Sequence, residues 1–152
     1  MHCIEACPTQ ALVPVSSKDD PVSSKDPVSS DDKDIRGEFR LDARRCISYL
    51  NIELRGPIPQ AQRGVLGPRV FGCDICQEVC PWNARAPETD EPAFAARYDS
   101  APPLEELAAL TAEEFRARFR HTPVMRTKYE GLLRNVTLAM KGAIEGACER
   151  DA

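Results

Sequence analysis

At 152 residues and a net charge of −4, the chain suffices for one ordinary domain or two small ones and is not, taken whole, a polyanion binder. Thirteen prolines and a 42 % hydrophobic content leave less core than the length would permit, which favours two small ordered units joined by loops. Seven cysteines, an odd number, argue against a closed disulfide framework and for a reducing compartment. No stretch reaches the length of a membrane span, and the start has neither the basic region nor the apolar run of a signal peptide.

The first residues contain Cys3-Ile-Glu-Ala-Cys7-Pro8, a C-x3-C-P ending. A full bacterial ferredoxin run reads C-x2-C-x2-C-x3-C-P, so two further cysteines belong before Met1. Met1 is therefore read as an internal methionine, and the chain as the C-terminal piece of a longer protein. Between Val13 and Asp34 runs a tandem Pro-Val-Ser-Ser-Lys-Asp repeat, too short in period for a solenoid and too polar to offset its ordering entropy, so it reads as a disordered insertion.

Order resumes at Phe39. Leu41, Ile47, Leu50 and Leu54, with Tyr49 beside them, predict a short amphipathic helix that carries Cys46 and ends at Arg55-Gly-Pro-Ile-Pro59. The stretch Phe71-Gly-Cys-Asp-Ile-Cys-Gln-Glu-Val-Cys-Pro-Trp-Asn83 then places Cys73, Cys76 and Cys80 in a C-x2-C-x3-C-P pattern. Two thiolates two residues apart reach two irons of one cubane, and the trailing Cys-Pro is directed at a second cluster. Zinc would need another C-x2-C or a His pair and has no use for the trailing cysteine. Cys46 fills the place of the motif's missing first ligand. Trp82 is expected to cover a cluster edge or the core.

The segment 84–103 reads as an irregular, acidic connection. Leu104–Leu110 predicts a short helix, Thr111-Ala-Glu-Glu114 a capping box opening a second over Ala112–Arg120, and Pro123 a break before a longer one from Arg126 to Ala147. Leu132, Leu133, Val136, Ala139, Met140 and Ala143 mark the packing face of that helix. Its polar side is basic. Arg126, Lys128 and Arg134 are the candidate phosphate contacts, and a solvated helix face is the plain alternative. Cys148 matches no ligand spacing.

In ferredoxins each motif's fourth cysteine serves the other motif's cluster. That rule gives Cys46, Cys73, Cys76 and Cys7 as one complete 4Fe–4S set, with Cys3 and Cys80 as half of a second. No residue has the setting of an acid–base or nucleophilic catalyst. There are only two histidines, no Ser/His/Asp set and no phosphate-cradling glycine loop. The clusters would relay electrons to chemistry located elsewhere.

The stretches Leu41–Pro59, Phe71–Asn83 and Thr122-Pro-Val-Met-Arg-Thr-Lys-Tyr-Glu-Gly-Leu-Leu-Arg-Asn135 together resemble the epoxyqueuosine reductases. The resemblance implies a cytoplasmic, cobalamin-dependent oxidoreductase with two 4Fe–4S clusters, which reduces epoxyqueuosine in tRNA to queuosine. It implies that Cys3, Cys7, Cys46, Cys73, Cys76 and Cys80 are cluster ligands and that the helical tail is HEAT-like and lies near tRNA. The expected architecture is α+β, mostly helix and loop. A ferredoxin-like domain occupies residues 1–83 with the insertion at 13–38, a connection residues 84–103, and the helical tail residues 104–152. The expected partners are tRNA and an electron donor, with no membrane and a monomeric state. The cobalamin-binding part of such a protein is absent, so the chain alone is expected to be inactive. A free-standing ferredoxin-like electron carrier, an exported reductive dehalogenase and a zinc-stapled scaffold are the rival readings.

Overall fold

The computed structural model describes residues 2–15, 39–95 and 101–148, with side chains as far as Gly142. Most of the Ser/Asp/Pro repeat lies outside the described residues, as does the side chain of Cys148. Among the described residues the architecture is mostly helical with one small sheet, as expected. The chain runs α1 (His2–Glu5), β1 (Leu12–Pro14), β2 (Phe39–Leu41), α2 (Gln60–Arg63), α3 (Ile75–Glu78), α4 (Leu104–Ala109), α5 (Ala112–Phe119) and α6 (Lys128–Cys148), with short 3₁₀ turns between them.

Strands β1 and β2 pair antiparallel, with Leu12 opposite Leu41 and Pro14 opposite Phe39. The Asp42 N–H donates to the Ala11 carbonyl at 2.8 Å and extends the ladder by one bond. The two ends of the repeat insertion are thus held side by side. Joining Pro14 directly to Lys33 should shift the melting temperature by no more than about 3 °C, because loop-closure entropy changes slowly with length. A calorimetric loss well beyond that would mean that the insertion packs on the rest.

Among the described residues two apolar cores form. Ile47, Leu50, Ile58 and Leu66 make one, with Cys73 and Leu138 packed against it. Leu107, Phe115, Phe119, Leu132 and Val136 make the other, with Val70 packed against it. Helix α6 therefore faces both: Leu132 and Val136 go to the tail core and Leu138 to the cysteine-bearing one. Phe115 anchors the tail, with ring centroids 5.4 Å from Phe119 and 6.0 Å from Tyr129.

The helix boundaries of the tail follow their sequence signals. Thr111 and Glu114 form the capping box: the Glu114 N–H donates to Thr111 Oγ1 at 3.2 Å, and the Thr111 N–H donates to Glu114 Oε2 at 2.8 Å. Replacing Thr111 with alanine should cost about 1 kcal/mol, measurable by urea unfolding. The backbone and hydroxyl hydrogen bonds from Thr111 hold the Glu114 carboxyl below its ordinary pKa. Its contribution is therefore present above the unfolded-state carboxylate range and is lost as pH falls through the lowered value.

The helix expected around Cys46 is different in form. Leu41 belongs to β2 and is 57 % exposed, and Ala43–Arg45 is a single 3₁₀ turn opened by Asp42. Cys46 itself is extended, at φ −68° and ψ 129°, and caps that turn. The helical part begins after it and widens into a π-turn over Tyr49–Glu53, closed by the Leu54 N–H on the Tyr49 carbonyl at 2.9 Å. Ile47 and Leu50 still fall on one buried face, which is the part of the apolar period that the sequence carried correctly. The apolar spacing is compatible with several local windings, and partners distant in sequence, Ile58 and Leu66 among them, select this one.

Candidate metal centre

The five cysteines of the two motifs, and Cys46, are partly buried and unbridged. Helix α1, which carries Cys3, packs on α3, which carries Cys76, so the N-terminal motif and the second motif lie together. Cys73 lies in the irregular segment between Gly72 and α3, and Cys80 follows α3, its N–H on the Gln77 carbonyl at 3.2 Å.

The cysteines act on one another. Burial raises the pKa of the Cys76 thiol, and the neighbouring thiolates of Cys73 and Cys46 raise it further. Neighbouring thiolates that oppose the ionisation of Cys76 mark these three sulfurs as occupants of one neighbourhood. At Cys7, burial works to raise the thiol's pKa, but hydrogen bonds from the Thr9 hydroxyl and the Ala11 N–H outweigh it, and the net shift is downward. The Ala11 N–H lies 3.3 Å from Cys7 Sγ and the Thr9 hydroxyl 3.5 Å from it. Such donors favour the thiolate, the form that binds iron.

Among the described residues no three His, Cys, Asp or Glu side chains converge on a single metal position. Thiolates around a cubane do not converge on one point either, since each takes a different iron. Cys73 and Cys46 each lie close enough to Cys76 to act on its charge, α1 brings the N-terminal motif against α3, and the donors are thiols throughout, so the residues present fit a 4Fe–4S group. Such a group, when bound, supplies one-electron transfer.

Trp82 covers neither core nor cysteine. It is 85 % exposed, because Cys80-Pro81 turns the chain outward into the 3₁₀ turn Asn83–Arg85. The three basic candidates on the tail also separate. Lys128 is exposed, and Arg126 is exposed but paired with Glu53. Arg134 points inward. Its Nη1 donates to the carbonyls of Leu54 at 2.8 Å and Gly56 at 2.6 Å, and its Nη2 to the Leu50 carbonyl at 2.9 Å. Arg134 is therefore a joint between the tail and the cysteine-bearing core. A guanidinium whose donors are occupied by backbone carbonyls is poorly placed to meet a phosphate.

Sequence reasoning missed two buried asparagines beside the site. Asn51 is 0 % exposed and Asn135 is 3 % exposed. Each interrupts an apolar helical run, Leu50-Asn51-Ile52 and Asn135-Val136, and a polar residue in a packing period was the available signal.

Residues 31–83 match the family described as a 4Fe-4S double cluster binding domain. The epoxyqueuosine reductase of Xanthomonas campestris is 40 % identical over 143 residues, covering 93 % of this chain and 34 % of that protein. That of Escherichia coli K12 is 42 % identical over 106 residues, covering 69 % of this chain and 28 % of the relative. Among solved structures, an epoxyqueuosine reductase with an epoxyqueuosine-modified tRNA-Tyr stem loop superposes with a TM-score of 0.69 at 29 % identity. It covers 92 % of this chain and 31 % of its own. The Bacillus subtilis enzyme gives a TM-score of 0.63 at 29 % identity, covering 93 % of this chain and 32 % of its own. The chain is thus a relative of the epoxyqueuosine reductases, and it spans about a third of the length of the curated relatives it matches.

Proposed function

We propose that this chain is the iron–sulfur relay and tRNA-contacting C-terminal part of an epoxyqueuosine reductase. The observation that carries the reading is the joining of the two cysteine motifs, α1 against α3, in a chain that matches these reductases over nine-tenths of its length. In this reading Cys46, Cys73, Cys76 and Cys7 hold one 4Fe–4S cluster, and Cys3 and Cys80 contribute to a second. Residues 1–83 act as the ferredoxin-like unit and residues 104–152 as the tail. Cobalamin, held in the part of the reductase that this chain does not span, would receive the electrons and meet the substrate. The chain itself supplies ligands and an RNA-facing surface, and the protein works as a cytoplasmic monomer fed by a separate reductant. Among the described residues no helix is long and apolar enough to cross a membrane.

The test is reconstruction. Fused in frame behind the remaining two-thirds of a relative and loaded anaerobically, the chain should support reduction of epoxyqueuosine in a tRNA stem loop. The 152-residue chain alone, with cobalamin and a strong reductant, should give no turnover. A fusion that accepts electrons yet leaves the modified base untouched would favour the plain ferredoxin-like carrier instead.

RNA contact is testable separately. Lys128→Gln should weaken stem-loop binding alike for all sequences and lower the slope of log affinity against log salt by about 1. Arg126→Gln should act less, because Arg126 must first leave Glu53. An unchanged salt slope for both would remove this face from the interface.

A further inference from the structure

The buried asparagines lie on a continuous path from the tail helix to Cys73. A π-turn that ends after one turn leaves carbonyls without helical donors, and a buried carbonyl must be paired. Here the donors come from α6. Asn135 Nδ2 donates to the Asn51 carbonyl at 2.6 Å and to the Val70 carbonyl at 2.8 Å. Its own Oδ1 accepts from Arg134, Nε at 3.1 Å and Nη2 at 2.9 Å, which fixes the orientation of the amide. Arg134 Nη2 also takes the Leu50 carbonyl.

The Asn51 side chain then reaches the other strand of the site. Its Nδ2 donates to the Gly72 carbonyl at 3.0 Å, and the Gly72 N–H donates back to its Oδ1 at 3.1 Å. This closed pair clamps Gly72 at φ +74°, a conformation that glycine alone takes without strain, one residue before Cys73. The Ser48 hydroxyl adds a longer bond, 3.4 Å, to the Cys73 carbonyl. The side chain of one fully buried residue thus spans the Cys46-bearing turn and the Cys73-bearing loop.

We infer that Asn51 is a positioning residue for the cluster: it sets the direction of Cys73 relative to Cys46, and Asn135 and Arg134 of the tail helix hold it in place, so the tail is part of the iron–sulfur site. This rests on the reading that Cys46 and Cys73 are cluster ligands. A tail attached only by apolar packing would leave the site's geometry indifferent to the chemistry at position 51. A buried amide whose nitrogen and oxygen are both bonded to Gly72 makes it sensitive.

The experiment uses the full chain, anaerobically reconstituted, with Asn51→Ala, Asn51→Asp and Leu107→Ala. Leu107→Ala serves as a control that loosens the tail core and touches none of these bonds. Three properties are read on folded protein at low temperature: the electron paramagnetic resonance line shape of the reduced cluster, its midpoint potential, and the rate of iron loss to a ferrous chelator. Asn51→Ala should release iron about tenfold faster than the parent and alter both the line shape and the potential. Asn51→Asp keeps the acceptor for the Gly72 N–H and loses the donor to the Gly72 carbonyl. It should change the line shape and potential with a smaller increase in iron loss, and it carries the test if Asn51→Ala does not fold. Leu107→Ala should lower the melting temperature and leave the line shape and potential at parent values. Asn51 variants that, like the control, lose stability while keeping the parent's spectrum and potential would reduce Asn51 to a packing residue and overturn the inference. A parent chain that takes up no cluster would instead overturn the ligand reading on which it rests.

Discussion

Anaerobic reconstitution of the 152-residue chain is expected to bind about four irons, and Cys46→Ala, Cys73→Ala, Cys76→Ala or Cys7→Ala to abolish the stable cluster. The effect should be all or nothing. A cubane missing one thiolate exposes an iron to solvent, whereas a lost core methyl merely loosens packing. Cys80→Ala should largely spare the cluster, because the cross-over rule sends Cys80 to the other site. The structure makes Cys7 the informative member of the set. Its sequence distance from Cys46 gives no hint of proximity, yet α1 packs on α3 and the Thr9 and Ala11 donors favour its thiolate. Iron content and the visible charge-transfer band are the measurements. A cluster that survives Cys7→Ala and is lost in Cys80→Ala would exchange the two assignments.

The parts of this chain that were legible in advance are those where a local rule fixes the outcome. C-x2-C-x3-C-P is such a rule, since its spacing marks a 4Fe–4S domain, and residues 31–83 match one. The Thr111–Glu114 box is another, since both bonds close within four residues. The periodicity of Leu132, Val136 and Ala139 is a third, and all three are buried. What escaped was set by distant partners. The run Leu41–Leu54 has an apolar period, but its winding into a strand end, a 3₁₀ turn, an extended Cys46 and a π-turn depends on Asn135, Arg134 and Gly72, none closer than 18 residues to it in sequence. Trp82 was expected to be covered on size and hydrophobicity, and the turn after Pro81 directs it outward instead. Arg134 was the plainest case. On a basic helix face it looks like a phosphate contact, and only the carbonyls of Leu50, Leu54 and Gly56 reveal its use.

Replacing Arg134 with methionine is accordingly expected to lower stability by about 3 kcal/mol rather than to act chiefly on RNA affinity. Methionine keeps much of the aliphatic stem and removes every donor. The carbonyls of Leu50, Leu54 and Gly56 then lose a partner, and the Asn135 amide loses the contacts that orient it. Charged donors on neutral acceptors are each worth about 1.5–3 kcal/mol, but the Gly56 bond is solvent-exposed, and water can replace part of the loss there. One term runs the other way. Burial, and then the neighbouring Arg55 charge, push the Arg134 pKa down, so removing this cation relieves some desolvation and repulsion. That relief holds the expected loss at about 3 kcal/mol rather than at the sum of the bonds. For a chain of this size the melting temperature should fall by roughly 6–12 °C. Arg134→Lys should recover little, since a single ammonium cannot reproduce the planar fork that collects carbonyls on two sides. Below the transition, folded Arg134→Met should keep the parent's salt slope for stem-loop binding, in contrast to Lys128→Gln. An Arg134→Met chain as stable as the parent but with a reduced salt slope would return this residue to the RNA face.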